Sequence, residues 1–187
     1  MLNIKGTKLL GKFLSGILAA MIMVCGVTTT AFASGTTSTG SEPTIDGIVI
    51  SHDEEWVTPL EHVETTIYDL DDGFTATVTT TNEYSKTRAA GTRTATQEVE
   101  IKEGSVLAGT AKVTATFSYD GKLTCKVTSA THSKSTKSGY TEESWKTSKA
   151  DYQDHMLAHA TSTLKVKNNA SGTTKSASAM VTCTPNG

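Results

Sequence analysis

Apolar and small residues fall at every second position through much of this chain. Between Gly109 and Ser129 the row Ala111, Val113, Ala115, Phe117 runs up to Asp120-Gly121, and Leu123, Cys125, Val127 continues beyond it. Period-two alternation broken by Asp-Gly predicts a β-hairpin. Residues facing each other on an antiparallel pair share a face, so the two apolar rows meet only across a three-residue loop, Tyr119-Asp120-Gly121. That loop sets Phe117 opposite Leu123 and Ala115 opposite Cys125. It predicts a type I turn closed by Gly121 in the left-handed conformation. The same reasoning applies from Glu64 to Thr80, where Tyr68, Leu70 and then Phe74, Ala76, Val78 flank Asp71-Asp72-Gly73. A second hairpin of this type would set Leu70 opposite Phe74 and make Gly73 its left-handed turn residue. In a third pair the apolar positions are even (Ala158, Ala160, Leu164, Val166) and then odd (Ala177, Ala179, Val181, Cys183). Even facing odd requires an even loop, and Asn169 to Gly172 sets Leu164 opposite Ala177.

The remaining segments read less sharply. Ala95 to Lys102 alternates through Val99 and Ile101 and turns at Glu103-Gly104-Ser105. Ile45 to Ile50 predicts a short strand at most, and His52 to Trp56 a charged loop. Asn82 to Gly91 reads as a linker and Thr131 to Gly139 as a basic Ser/Lys loop. Trp145 to Tyr152 has poor helical spacing and fits an irregular strand better. Together these elements predict an all-β fold, an Ig-like antiparallel β-sandwich of seven to nine strands, with no β-α alternation.

The first residues change the picture. Lys5, Lys8 and Lys12 precede the mostly apolar Phe13 to Val27, and Ala31-Phe32-Ala33 follows. This three-region pattern predicts an export signal over residues 1–33, cut between Ala33 and Ser34. A membrane anchor needs about 20 apolar residues, whereas Ser15, Gly16, Cys25 and Gly26 interrupt this run. A lipoprotein signal at Cys25 would want small residues where Ile22-Met23-Val24 stands. The expected organisation is then an acidic, mostly disordered segment at 34–63, an acidic β-hairpin at 64–85 and the β-sandwich domain at 86–187. The product would be secreted and extracellular, with no membrane span after signal removal. Cys125 and Cys183 remain, each in the apolar row of its strand. In an exported chain such a pair predicts a disulfide, and buried free thiols are the alternative.

Charge is unevenly placed. Of the 187 residues, 17 are Lys or Arg and 19 Asp or Glu. Eleven of the acids lie between Ser34 and Ser85, where there is no Lys or Arg, while fourteen bases and eight acids follow from Lys86 onward. Candidate chemistry is sparse against this background. His155 and His159 are four apart, but Met156 stands where a zinc peptidase motif needs Glu. On a strand the two would lie about 13 Å apart, too far for one ion. Asp69, Asp71, Asp72 and Gly73 do not match the calcium-loop order, since Gly is fifth rather than sixth, and the turn accounts for them. No G-x-S-x-G elbow is present, and Glu142-Glu143 would face opposite ways on a strand. The Thr-x-Thr runs are the wet face of strands. Lys134, Lys137, Lys146 and Lys149 form a basic patch with Trp145 as its one aromatic, which argues against nucleic acid.

The order of D-L-D-D-G-F at Asp69 to Phe74, R-A-A-G-T at Arg88 to Thr92 and F-S-Y-D-G ending at Gly121 resembles a known group. Cys125, Trp145, A-H-A-T at Ala158 to Thr161 and C-T-P-N-G at Cys183 to Gly187 complete the pattern. It is similar to small secreted β-sandwich proteins of unknown function from Gram-positive gut bacteria, over roughly Glu64 to Gly187. The resemblance implies compartment and fold and carries no chemistry.

The expected function is a secreted, non-enzymatic binding module at or outside the cell surface, with no cofactor and no metal. Its partner would be a cell-wall polymer, a glycan or a secreted protein. Two alternatives belong to other classes: a factor released by cleavage near Arg88, and a metal-dependent enzyme built on His155 and His159.

Overall fold

The computed structural model describes residues 45–84, 90–152 and 156–187. Nine antiparallel strands and no helix occur among them. Strands β1 (Ile48–Thr58), β2 (Glu61–Asp69), β3 (Phe74–Tyr84), β4 (Gly91–Glu103), β5 (Val106–Tyr119) and β6 (Cys125–Thr136) form one sheet in chain order. Strands β7 (Tyr140–Tyr152), β8 (Leu157–Asn168) and β9 (Thr174–Cys183) form a second, three-stranded sheet. The smaller sheet lies on the larger one: β8 faces β5 and β6, β9 faces β4 and β5, and β7 runs beside β6. No helix among the described residues is long and apolar enough to cross a membrane.

Alternation decides which face is buried. Along β5, Ala111, Val113, Ala115 and Phe117 are fully covered, while Thr110, Lys112, Thr114 and Thr116 point the other way and stay half-buried. The outer row is a hydroxyl ladder, with Thr96 facing Thr114 at 2.9 Å and Thr110 facing Ser135 at 2.8 Å. Opposite β5, the second sheet contributes Ala158, Ala160, Leu164, Val166, Ala177, Ala179 and Val181. Alanine is frequent because the sheets approach closely. At Gly109 a Cβ would lie 2.9 Å from the Ser135 carbonyl and 3.1 Å from both Leu164 and Val166, so only glycine fits there without displacement. Side chains tie the layers at the rim of this core. Gln97 donates to Thr80 Oγ1 (2.7 Å) and accepts from the Met180 N–H (2.6 Å). Glu103 accepts from the Tyr140 hydroxyl at 2.7 Å and from Asn168 at 2.6 Å, and this bond raises the Tyr140 pKa.

The Glu64–Thr80 hairpin is part of the larger sheet. β3 pairs with β4 from Phe74↔Glu103 to Tyr84↔Arg93, and Leu70, Phe74, Ala76 and Val78 are buried in the common core. Leu70 donates its N–H to the Phe74 carbonyl (2.9 Å), which closes the three-residue loop. Its backbone differs from a type I turn: Asp71, Asp72 and Gly73 are all left-handed, at φ 64°, 52° and 77°. Asp tolerates this conformation better than most residues, and Asp69 Oδ1 accepts the Asp71 N–H at 2.9 Å. Leu164 lies opposite Ala177 in the β8–β9 hairpin.

Four expectations are corrected. The central loop spans Asp120 to Thr124, so Tyr119 pairs with Cys125 and Phe117 with Val127, and a bulge follows between Phe117 and Thr116. Leu123 is exposed instead of facing Phe117. The cause is Asp120, whose carboxylate accepts the N–H groups of Lys122, Leu123 and Thr124 and folds them into an Asx-type loop. Those bonds hold the Asp120 carboxyl far below the usual carboxylate range. Gly121 keeps its positive φ of 72° in the wider loop. Within the described part of 34–63, the expected disorder and the charged loop at His52 to Trp56 give way to β1, which spans Ile48–Thr58, and residues 34–44 lie outside the described residues. The basic loop expected at Thr131 to Gly139 is strand β6 as far as Thr136. The expected linker likewise begins later, since β3 continues to Tyr84 and β4 starts at Gly91. For β1 the physical reason is that an edge strand exposed on both faces needs no apolar alternation, and backbone pairing with β2 holds it. Residues 1–33, Ala33, Ser34 and Arg88 lie outside the described residues, as does His155.

Candidate functional site

The smaller sheet packs on β3 to β6, and β1 and β2 form a ribbon that extends past its edge. Every residue of β1 except Ser51 is exposed. Ile48, Val49, Ile50, Trp56 and Val57 are each more than half exposed, and among the described residues no strand pairs with the outer edge of β1. A long edge strand with apolar side chains is a template for pairing with another chain. Near the ribbon's tip an open depression is lined by Trp56, Val57, Thr58 and Pro59.

Strand register builds a compact cluster on the ribbon's inner face. Trp56 of β1 stands opposite His62 of β2, and Glu54 opposite Glu64. The Trp56 ring lies 4.6 Å from the His62 ring and 6.0 Å from the Tyr84 ring, centroid to centroid. His62 is buried beneath Trp56, and its ring nitrogens face the two glutamates. One imidazole and two carboxylates thus present donor atoms to one point in space. Sequence reasoning missed this group. Its members are spaced 54, 62 and 64, which matches no ligand motif, and only the β1–β2 pairing brings Glu54 to the other two.

The cysteines meet as well. Cys125 and Cys183 are both buried at the end of the sandwich, and both are free thiols, so the expected disulfide is not formed in this structure. The Cys125 thiol lies 3.0 Å from the Cys183 carbonyl, and the Cys183 thiol 3.3 Å from that of Thr184. Each thiol thus lies against a backbone oxygen, and the two side chains also hydrogen-bond with each other. Burial pushes the Cys183 thiol up from 9.0 to about 11, and burial raises Cys125 too. Both are protonated, weak nucleophiles near neutral pH. Beside them Arg93 donates to the Thr182 carbonyl and lies over the Phe117 ring, 5.6 Å from its centroid.

Other sequence candidates are dispersed. His159 sits on β8 opposite Thr182, far in register from the His62 cluster, and its expected partner His155 is outside the described residues. Asp72 accepts from Lys175 Nζ at 2.8 Å, and Asp69 caps the turn, so both belong to the hairpin. In the basic patch Lys134 pairs with Glu142 and lies over the Trp145 ring, 4.5 Å from its centroid. Trp145 itself donates to Ser162 Oγ at 3.0 Å. Lys137, Lys146 and Lys149 remain exposed on the β6–β7 side.

No family model matches the chain. Neither the curated proteins nor the solved structures contain a significant match to it.

Proposed function

We propose that the chain is an exported, non-enzymatic interaction module, an Ig-like sandwich that binds a protein partner through the β1–β2 ribbon. The reading takes residues 1–33 as a signal cut between Ala33 and Ser34, in line with the sequence resemblance to small secreted Gram-positive proteins. In the oxidising space outside the cell, thiol–disulfide exchange with an external disulfide would link Cys125 to Cys183. The two thiols lose two protons and two electrons, and the external disulfide is reduced.

The observation that carries the reading is the free edge of β1, eleven residues long, with Ile50, Trp56 and Val57 exposed on it. An extended segment of a partner adds to such an edge by main-chain hydrogen bonds, and alternate side chains supply specificity. Electrostatics narrow the partner. With eleven acids and no Lys or Arg between Ser34 and Ser85, the ribbon repels anionic cell-wall polymers and favours a neutral or basic peptide.

Immobilised full chain, offered cell-wall polymers, glycans and secreted proteins separately, should retain protein. Trp56→Ala and Ile50→Lys should each weaken retention at least tenfold, and Lys146→Glu on the opposite side should leave it unchanged. Retention of an anionic polymer lost with Lys146→Glu would overturn the reading. Intact mass of the exported product should begin at Ser34.

A further inference from the structure

We propose that Glu54, His62 and Glu64 form a binding site for one divalent first-row transition-metal ion, with zinc as its natural probe. The site stands whether or not the ribbon binds a partner.

Three observations converge. One ligand atom from each of the three residues lies within 4.8 Å of the other two. Around a tetrahedral zinc, with bonds of about 2.0–2.2 Å, donor atoms lie about 3.3 Å apart. The cluster therefore needs to contract by at most about 1.5 Å. Both glutamate side chains can supply that movement, being 66% and 40% exposed. An imidazole offers one nitrogen to an ion, so one glutamate swings across the ring while the other stays.

His62 supplies the second observation. The residue is only 9% exposed, and among the described residues its ring nitrogens meet carboxylates only at long ion-pair distance. The nearest acceptors are Glu54 Oε2, 3.7 Å from Nε2, and Glu64 Oε1, 3.5 Å from Nδ1. Both distances exceed the normal range for N–H···O bonds. A largely buried ring held between two carboxylates, at distances longer than a hydrogen bond, leaves room for a third body. Trp56, stacked 4.6 Å from it, screens one side from water and makes any charge there more strongly felt.

The field is the third. Glu54 stands directly opposite Glu64 across the ladder, an arrangement that destabilises a sheet when both are ionised. Glu61 opposes Glu83 in the same way one strand over. The segment from Ser34 to Ser85 itself carries no Lys or Arg, and Arg93 of β4 lies over the Tyr84 ring, 5.8 Å from its centroid. A bound dication converts the Glu54–Glu64 repulsion into two bonds and pins β1 to β2. The donor set selects the ion: imidazole suits zinc, copper, nickel and iron, whereas calcium takes six or more oxygens. Three protein ligands leave a fourth position for water or a partner's group.

The chain carries its own reporter. Its two tryptophans are Trp56, beside the site, and Trp145, which Trp145→Phe removes. Calorimetric titration of the full chain with zinc chloride should give one ion per chain. Affinity should fall on acidification, since the ligands must be deprotonated. Nickel chloride should quench Trp56 fluorescence in the Trp145→Phe background, and zinc should compete the quenching away. His62→Ala should weaken binding by more than the 10–100-fold that loss of an outer partner costs. Glu54→Gln and Glu64→Gln keep the shape of exposed side chains, fold whatever His62→Ala does, and should each weaken binding at least tenfold. Unchanged zinc affinity in the Glu54→Gln, Glu64→Gln double variant overturns the site. So does zinc binding that leaves nickel quenching of Trp56 intact, or no saturation by about 1 mM zinc, a millimolar affinity being too weak to count as a site.

Discussion

Phe74→Ala tests whether the acidic β2–β3 hairpin belongs to the cooperative core. The Phe74 ring is 1% exposed, packed with Leu70, Ala76 and Val78 under β9, and a phenyl side chain of this kind buries about 150–250 Å². At about 25 cal/mol per Å² the burial is worth at most about 4–6 kcal/mol, an upper bound because the unfolded chain is already partly collapsed. Truncation to alanine keeps the first carbon but leaves a cavity, so the expected loss is about 3–5 kcal/mol. Charge contributes far less. The Lys175–Asp72 pair sits at the hairpin's tip with Asp72 65% exposed, and Asp72→Asn should cost no more than about 1 kcal/mol. The assay is urea unfolding followed by Trp145 fluorescence, with Ile101→Ala as a reference deep in β4. With a slope near 2 kcal/mol per M, the Phe74→Ala midpoint should fall by about 2 M. Raising salt should move wild type and variant alike. If Phe74→Ala shifted the midpoint by less than about 0.3 M while Ile101→Ala shifted it fully, the hairpin would unfold separately and its burial would count for nothing in the global transition.

Two further predictions concern the rim of the core. Under reducing conditions, stability should decline as pH rises through the window from 9.0 to about 11, because the unfolded chain releases the Cys183 proton before the folded chain does. Cys183→Ala should make that decline shallower, the raised Cys125 and Tyr140 supplying the remainder, and oxidation to a disulfide should remove both thiol contributions; a decline of unchanged steepness in Cys183→Ala would refute the assignment. Gln97→Ala removes the acceptor of the half-buried Met180 N–H and the donor to Thr80, and should cost about 1–3 kcal/mol in thermal or urea unfolding. A loss below about 0.5 kcal/mol would mean that water replaces the glutamine at no cost.

Sequence alone determined the parts of this protein in which one face is buried and the other wet. Under that condition a slip of one residue exposes a whole apolar row, so Phe74, Ala76 and Val78, or Leu164 facing Ala177, announce both strand and register. The turn residues Gly73 and Gly121 were legible for a related reason: the backbone there needs a positive φ that few residues accept. Tertiary structure decided the rest. Asp120, by gathering three backbone N–H groups, widened a loop that parity had set at three residues, and so moved Phe117 from Leu123 to Val127. β1 shows no alternation because neither of its faces is covered; only pairing with β2 orders it, and a sequence does not display the partner of a wet strand. The cluster of Glu54, His62 and Glu64 inherits that blindness. Its members are meaningless apart, and a cross-strand register carried by backbone hydrogen bonds is what brings them to one point.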